Sequence, residues 1–321
     1  MNWIRHLVIP LIATLFWGAS FVPQELASKT LDAVSVNMLA SWLAFFFLLP
    51  CSIILDFAKK KQQEKNGVMQ ALSAEEKKLQ IQKTILGGVA CGIPMAAASV
   101  LQQAGISMSG AGKSGFLTAL YVVFVPVFAV LLGKKAPRRI WIAVLLAVIG
   151  LYFLCITPGT AWQIQKGDWL LIACAVAFSI QILCINHFGQ NCNGLKLSCV
   201  QALVVACICT IGMLLFSDFR WSQFLGNKTT LLSILFVAFL SRGLAYTLQF
   251  VAQKGANPML ISLIMSLESV FAVLTSAVVL KEYLSGREYL GCAFVFAAVI
   301  LSQIPLGTLL QSGKQKLFSG K

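Results

Sequence analysis

The fold is decided by SRGLAYTLQFVAQK at 241–254 and its continuation LISLIMSLESVFAVLTSAVVLKE at 260–282. The first run is an apolar helix carrying Arg242, Tyr246, Gln249 and Gln253 at spacings of 4, 3 and 4, which puts all four on one face. The second is an apolar helix with Glu268 near its middle. A bilayer tolerates a charge at mid-depth only at a cost. Such charges face a protein interior or a water-filled cavity, so Arg242 and Glu268 are candidate functional residues.

Composition places these helices in lipid. The 321 residues are 58% hydrophobic and 11% charged, with mean hydropathy +0.83, against about 45–50% and about 25% for an ordinary soluble domain. The net charge of +14 comes from Lys and Arg in short loops between apolar runs. That is the pattern of topology signals and excludes a nucleic-acid partner. The ten cysteines are scattered without a CxxC pair and fall mostly inside apolar runs, so they read as small packing residues. No metal or cofactor is implied.

Ten spans are expected, at about 7–26, 34–55, 85–106, 114–132, 139–156, 169–187, 196–217, 230–252, 258–280 and 288–306. Each is close to the ~20 residues that cross the hydrocarbon, and each must be helical because lipid offers the backbone no partner. With the N-terminus inside, 17 of the 25 Lys and Arg fall in inner segments and 7 in outer ones, with Arg242 left in a span. Both termini are therefore expected in the cytoplasm, and the chain in the cell membrane. The one substantial hydrophilic segment, about 56–84, reads as a solvated linker with an amphipathic turn from Ala74 or, through Lys59–Lys61, as a contact with anionic lipid.

The halves resemble each other. AASVLQ at 97–102 matches LAYTLQ at 244–249 at a shift of 147, and the same shift pairs Tyr121 with Glu268, Phe124 with Phe271 and Lys134 with Lys281. LIA at 11–13 matches LIA at 171–173 at a shift of 160, because the long loop exists only in the first half. Spans 1–5 thus correspond to spans 6–10, dividing the chain at 1–156 and 157–321. Five spans per unit is odd, so the second unit inserts upside down. That gives an inverted repeat around a midplane site.

Symmetry then nominates Gln102, Tyr121, Gln249 and Glu268, on spans 3, 4, 8 and 9, as cavity residues. The glutamines either hydrogen-bond a polar substrate or tie neighbouring helices together. Arg242 and Glu268 have Met95 and Tyr121 as mates, so the charges belong to one half only. They either line the cavity, with Glu268 binding a proton or cation and Arg242 a carboxylate or phosphate, or form an ion pair locking spans 8 and 9. In span 1, Trp17, Ser20, Phe21 and Gln24 share a face that makes an aromatic wall or simply packs, and Gly18 and Pro23 soften the helix. Gln181 and Asn186 are weaker candidates. Ser262, Ser266 and Ser269 form a stripe that faces the cavity or packs closely. SMSGAGKS at 107–114 imitates a phosphate-binding loop, but Ser107 replaces its first glycine and no strand precedes it. Gly88-xxx-Gly92 signals close helix packing. HExxH, GxSxG and acidic metal clusters are absent from the sequence, so nothing supports an enzyme.

WGASF at 17–21, KSGFLTALYVVFVPVFAVLLGKK at 113–135 and AYTLQ…SLESVFAVL…LKEYLSGREYLG from 245 onward resemble the EamA-type transporters of the drug/metabolite transporter superfamily. The resemblance implies an all-α integral membrane protein of ten helices, arranged as a basket around a central cavity lined by spans 1, 3, 4, 6, 8 and 9. It implies a small-molecule substrate such as an amino acid or related metabolite. By position it assigns Trp17, Tyr121, Tyr246, Gln249 and Glu268 to the site. The sequence departs from the pattern at Ser269, Lys281 and Arg242, and a guanidinium at the cavity wall changes what the site attracts. The expected function is therefore secondary transport or export of small polar metabolites. A carrier of phosphate-bearing anions and a non-transporting sensor or assembly subunit are the alternatives.

Overall fold

A computed structural model describes residues 4–66, 73–156, 165–190, 192–280 and 284–303. Lys281, Glu282, the end of the expected last span at 304–306 and the C-terminal lysines lie outside the described residues. Among the described residues every regular element is helical. In chain order they are α1 (Ile9–Ser28), α2 (Ala33–Lys65), α3 (Ala74–Ser109), α4 (Ala111–Ala119), α5 (Tyr121–Leu131), α6 (Arg138–Cys155) and α7 (Lys166–Phe188), then α8 (Gly194–Phe216), α9 (Trp221–Leu225) and α10 (Lys228–Phe236). A π-helical segment, Val237–Ala245, leads into α11 (Tyr246–Gln253), followed by α12 (Pro258–Met265), α13 (Glu268–Leu280) and α14 (Gly286–Gln303).

Among the described residues eight helical stretches are long and apolar enough to cross a membrane, among them Ser114–Leu131, Lys228–Gln253 and Pro258–Val279. The expected fifth and tenth spans correspond to α6 and α14, of 18 residues each, which are not among the eight. These two pack on each other backbone to backbone: a Cβ on Gly150 would stand 2.8 Å from the Gly291 carbonyl oxygen. Gly88 and Gly92 serve the same purpose between α3 and α8, facing Val200 and Val204.

The expected linker at 56–84 is largely helical instead. α2 runs on to Lys65, and α3 starts at Ala74 behind a reciprocal cap in which Ser73 Oγ accepts from Glu76 N and Glu76 Oε2 accepts from Ser73 N. Ser-x-x-Glu is a helix-start signal, and the Lys, Glu and Gln around it are good helix formers. Length in lipid does not limit a helix that continues into water. The turn at 107–114 is tight, with Gly110 at φ +75° joining α3 directly to α4. The nine cysteines other than Cys155 are free.

Two breaks position the site. α4 gives way to α5 at Leu120, and α12 gives way to α13 at Ser266–Leu267. In both, a tight i→i−3 bond closes the first half: Leu120 N donates to Leu117 O, and Leu267 N to Ile264 O. These atoms are related by the same shift of 147 that relates AASVLQ to LAYTLQ. At the second break Ser262 and Ser266 turn their hydroxyls back onto Met259 O and Leu263 O, which competes with the regular ladder. Tyr121 and Glu268 consequently become the first residues of α5 and α13.

Candidate functional site

Trp17, Gln102, Tyr121, Arg242, Tyr246, Gln249 and Glu268 all line one cavity, together with Ser20, Phe21, Gln24, Phe178, Gln181 and Met265. The walls come from α1, α3, the α4/α5 break, α7, the segment from Val237 to Gln249 and the α12/α13 break. Those are the spans to which the resemblance points. Space for water-sized molecules is only about 30 Å³, enough for a water or two. A metabolite enters only if the walls part.

α1 supplies one wall through Trp17, Ser20, Phe21 and Gln24, and it is held hard against α13. A Cβ on Gly18 would stand 2.5 Å from both Glu268 O and Phe271 Cβ. Gly18 therefore permits close approach, and α1 runs unbroken from Ile9 to Ser28 with Pro23 inside it. The softening expected at these residues is not seen. Trp17 stacks obliquely on Tyr246, ring centroids 4.9 Å apart at 53°.

Arg242 sits in the π-helical segment, whose wider turn is frequent at functional sites. The ion pair that is the alternative to cavity-lining charges is not formed. Among the described residues neither Arg242 nor Glu268 has a salt-bridge partner; both line the cavity, from different helical segments. The guanidinium instead donates through Nη2 to Asn37 Oδ1 on α2. Asn37 is itself fixed, its Nδ2 donating to Ala33 O at 2.7 Å and to Ser99 O at 3.1 Å. With two carbonyls on the amide nitrogen, only the oxygen is left for Arg242. Asn37 escaped the sequence reading because its partner is 205 positions away; an asparagine within an apolar span was the available signal.

Glu268 begins α13, where the positive end of the helix dipole favours a carboxylate. Tyr121 lies beside it. Yet Trp17 Nε1, Tyr121 Oη, Arg242 Nε and Glu268 Oε1 are all buried without a hydrogen-bond partner. Each such atom costs about 1–3 kcal/mol, more where charged. Native folds keep unpaired buried polar groups rarely, and four around one cavity make it the candidate binding site.

The glutamines divide their roles. Gln249 and Gln181 exchange amide bonds, Gln181 Nε2 to Gln249 Oε1 at 3.3 Å and Gln249 Nε2 to Gln181 Oε1 at 3.4 Å. Gln181 Nε2 also reaches Gln201 Oε1 at 3.2 Å. Gln102 lines the cavity from α3. Gln253 is fully buried and both its amide atoms lack partners. Asn186 stands apart from the cavity, accepting from Lys134 Nζ at 2.6 Å and donating to Ala256 O at 2.8 Å. Ser269 donates to Gly115 O, and with Ser262 and Ser266 bonded to their own turns the serine stripe is packing. A larger cavity of about 1030 Å³ adjoins Lys134 and Asn186, on the face of α7 formed by Ile180, Leu183, Cys184 and His187. Its walls are mostly apolar, whereas the unpaired charges gather at the smaller one.

A helical bundle closed around a chamber that exposes both a cation and a carboxylate is the build of a membrane carrier. The chain belongs to the EamA-like transporter family, whose model matches residues 5–156 and again 165–303. It is therefore a multi-pass membrane transporter of the drug/metabolite superfamily. An uncharacterized transporter of Archaeoglobus fulgidus is 28% identical over 291 residues, 90% of this chain and 83% of the relative. One crystal structure shares the fold with a TM-score of 0.71 over 93% of this chain and 96% of its own, at 14% identity.

Proposed function

We propose that this transporter carries small zwitterionic metabolites, amino acids or their close analogues, by alternating access around the Arg242–Glu268 cavity. The observation that carries this reading is that Arg242 and Glu268, each with an unpaired polar atom, line one cavity without pairing with each other. Arg242 takes the substrate carboxylate through its free Nε edge, and Glu268 takes the ammonium. Trp17 and Tyr246 flank the side chain, and Tyr121, Gln102 and Gln249 supply further hydrogen bonds. A phosphate-bearing anion is less well served, since one guanidinium faces it while Glu268 repels it.

Ten spans in two inverted five-helix repeats, 1–156 and 157–321, supply the moving parts. The equivalent breaks at Leu120 and Leu267, and the convergence of Gln102 with Gln249 and Tyr121 with Glu268 on one cavity, support that arrangement. The cavity holds no more than a water or two, so substrate enters only as the walls part. The excess of Lys and Arg in the inner segments supports a cytoplasmic membrane with both termini inside. Glu268 also offers a place for a coupling proton or cation when the ammonium is absent.

The test is counterflow in proteoliposomes with a panel of amino acids, amines, organic acids and sugar phosphates, after a thermal-shift screen of the same compounds on purified protein. Exchange restricted to compounds bearing both charges supports the reading. Exchange of sugar phosphates alone, or of none of the panel, contradicts it.

A further inference from the structure

Beside the cavity just described, sharing Arg242 and Tyr246 with it, lies a second and smaller rear pocket between α2, α3, α8 and the π-helical segment. It has room for one water-sized particle, about 10 Å³, and is lined by Ser41, Ser198, Gln201, Arg242 and Tyr246 against apolar Met95 and Val205. Ser41 and Ser198 are buried, at 0% and 1% exposure, and neither hydroxyl has a hydrogen-bond partner. Gln201 has its Oε1 engaged by Gln181, which leaves its amide NH₂ to offer. The lining is therefore rich in donors, carries one guanidinium and contains no acidic side chain.

We propose that this rear pocket binds a small monovalent anion of the chloride class. The physical reason is the guanidinium. A buried charge is retained only where something neutralises or solvates it, and among the described residues the one side chain hydrogen-bonded to Arg242 is the neutral amide of Asn37. Two serine hydroxyls, an amide NH₂ and a guanidinium line it with donors and a positive charge, which suits an anion and repels a cation. The volume admits a single atom and excludes phosphate, sulfate or a carboxylate. A halide there neutralises Arg242 from the rear while the front cavity is empty. A substrate carboxylate arriving at the front meets a guanidinium already neutralised, so halide and substrate oppose each other's binding reciprocally.

The halide site stands independently of what the front cavity carries; only its opposition to substrate rests on the zwitterion reading. The experiment measures melting of the purified full chain, without substrate, in sodium chloride, bromide or gluconate at equal ionic strength. A saturable rise of several degrees in chloride and bromide over gluconate is expected. Ser41→Ala with Ser198→Ala, both outside the front cavity, should weaken the halide dependence at least about tenfold, since each removes a hydrogen bond to a charged group. Anomalous scattering from bromide should place an ion between the two serines in the wild type. Equal melting in the three salts, a halide effect that survives the serine substitutions, or no bromide at that point because only water occupies it would each overturn the proposal. Failure of the zwitterion reading would leave a positive halide result intact.

Discussion

Gly18→Ala tests the geometry on which the site depends. The added Cβ would lie 2.5 Å from the Glu268 carbonyl oxygen, 2.5 Å from Phe271 Cβ and 2.7 Å from Ala272 N. Two of these are backbone atoms and the third is fixed to a backbone, so no side-chain rotation relieves the clash. α1 must move away from α13 by about 1 Å to restore van der Waals distance. Forcing extra atoms into a packed interface costs about 1–3 kcal/mol, to be read as a fall of a few degrees in melting temperature in detergent. The same movement carries Trp17 away from Glu268, across the cavity that both line, so substrate affinity falls with stability. Gly286→Ala is the matched control, because a Cβ there meets nothing within 4 Å. A Gly18→Ala protein that melts and transports like Gly286→Ala would refute the α1–α13 contact and the closeness of the walls derived from it.

Other perturbations follow from the same geometry. Asn37→Ala releases Arg242 Nη2 and orphans a bond to Ser99 O, so stability should fall by about 1–3 kcal/mol in chemical denaturation. Affinity for the carboxylate end of a substrate should fall more than affinity for its amine end. Asp32 joins the α1–α2 turn to the end of α8. Burial pushes its carboxyl up, but hydrogen bonds from Ser217 and Ser35 outweigh that and hold it below its ordinary 3.8. A lowered folded value means that its contribution is present above 3.8 and disappears as the pH falls through the lower folded value. The melting-temperature gap between wild type and Asp32→Asn should therefore hold above the ordinary carboxylate range and narrow steadily as the pH falls below 3.8. Asn186→Ala breaks the tie between Lys134 and Ala256. Amide hydrogen exchange at 253–257 should speed up about tenfold.

How much of this the sequence carried depends on what kind of signal each feature leaves. A charge in an apolar run is visible without any structure, which is why Arg242 and Glu268 stood out. The shift of 147 then singled out Gln102 and Tyr121, which carry no charge signal of their own. Whether the two charges pair was not legible, because composition gives the depth of a residue but not the rotation of its helix. The structure turns Arg242 toward Asn37 and sets Glu268 at a helix start. That break is invisible to propensity, since neither glycine nor proline marks 266–267; the serines whose hydroxyls fold back on their own turns were the signal. The loop at 56–84 misled for a different reason. Hydropathy registers where lipid ends, not where a helix ends, and the Ser73–Glu76 cap showed the latter.

The central claim is that Arg242 and Glu268 hold opposite ends of one substrate. Its most direct measurement is calorimetric binding of an amino acid, its methyl ester and its N-acetyl derivative to wild type, Arg242→Ala and Glu268→Gln. Esterification should weaken binding to wild type and to Glu268→Gln, yet make no further difference in Arg242→Ala. Acetylation should show the converse, costing affinity except in Glu268→Gln. Equal affinity of all three compounds for the wild type, or ester and acetyl penalties unchanged in both variants, would contradict it.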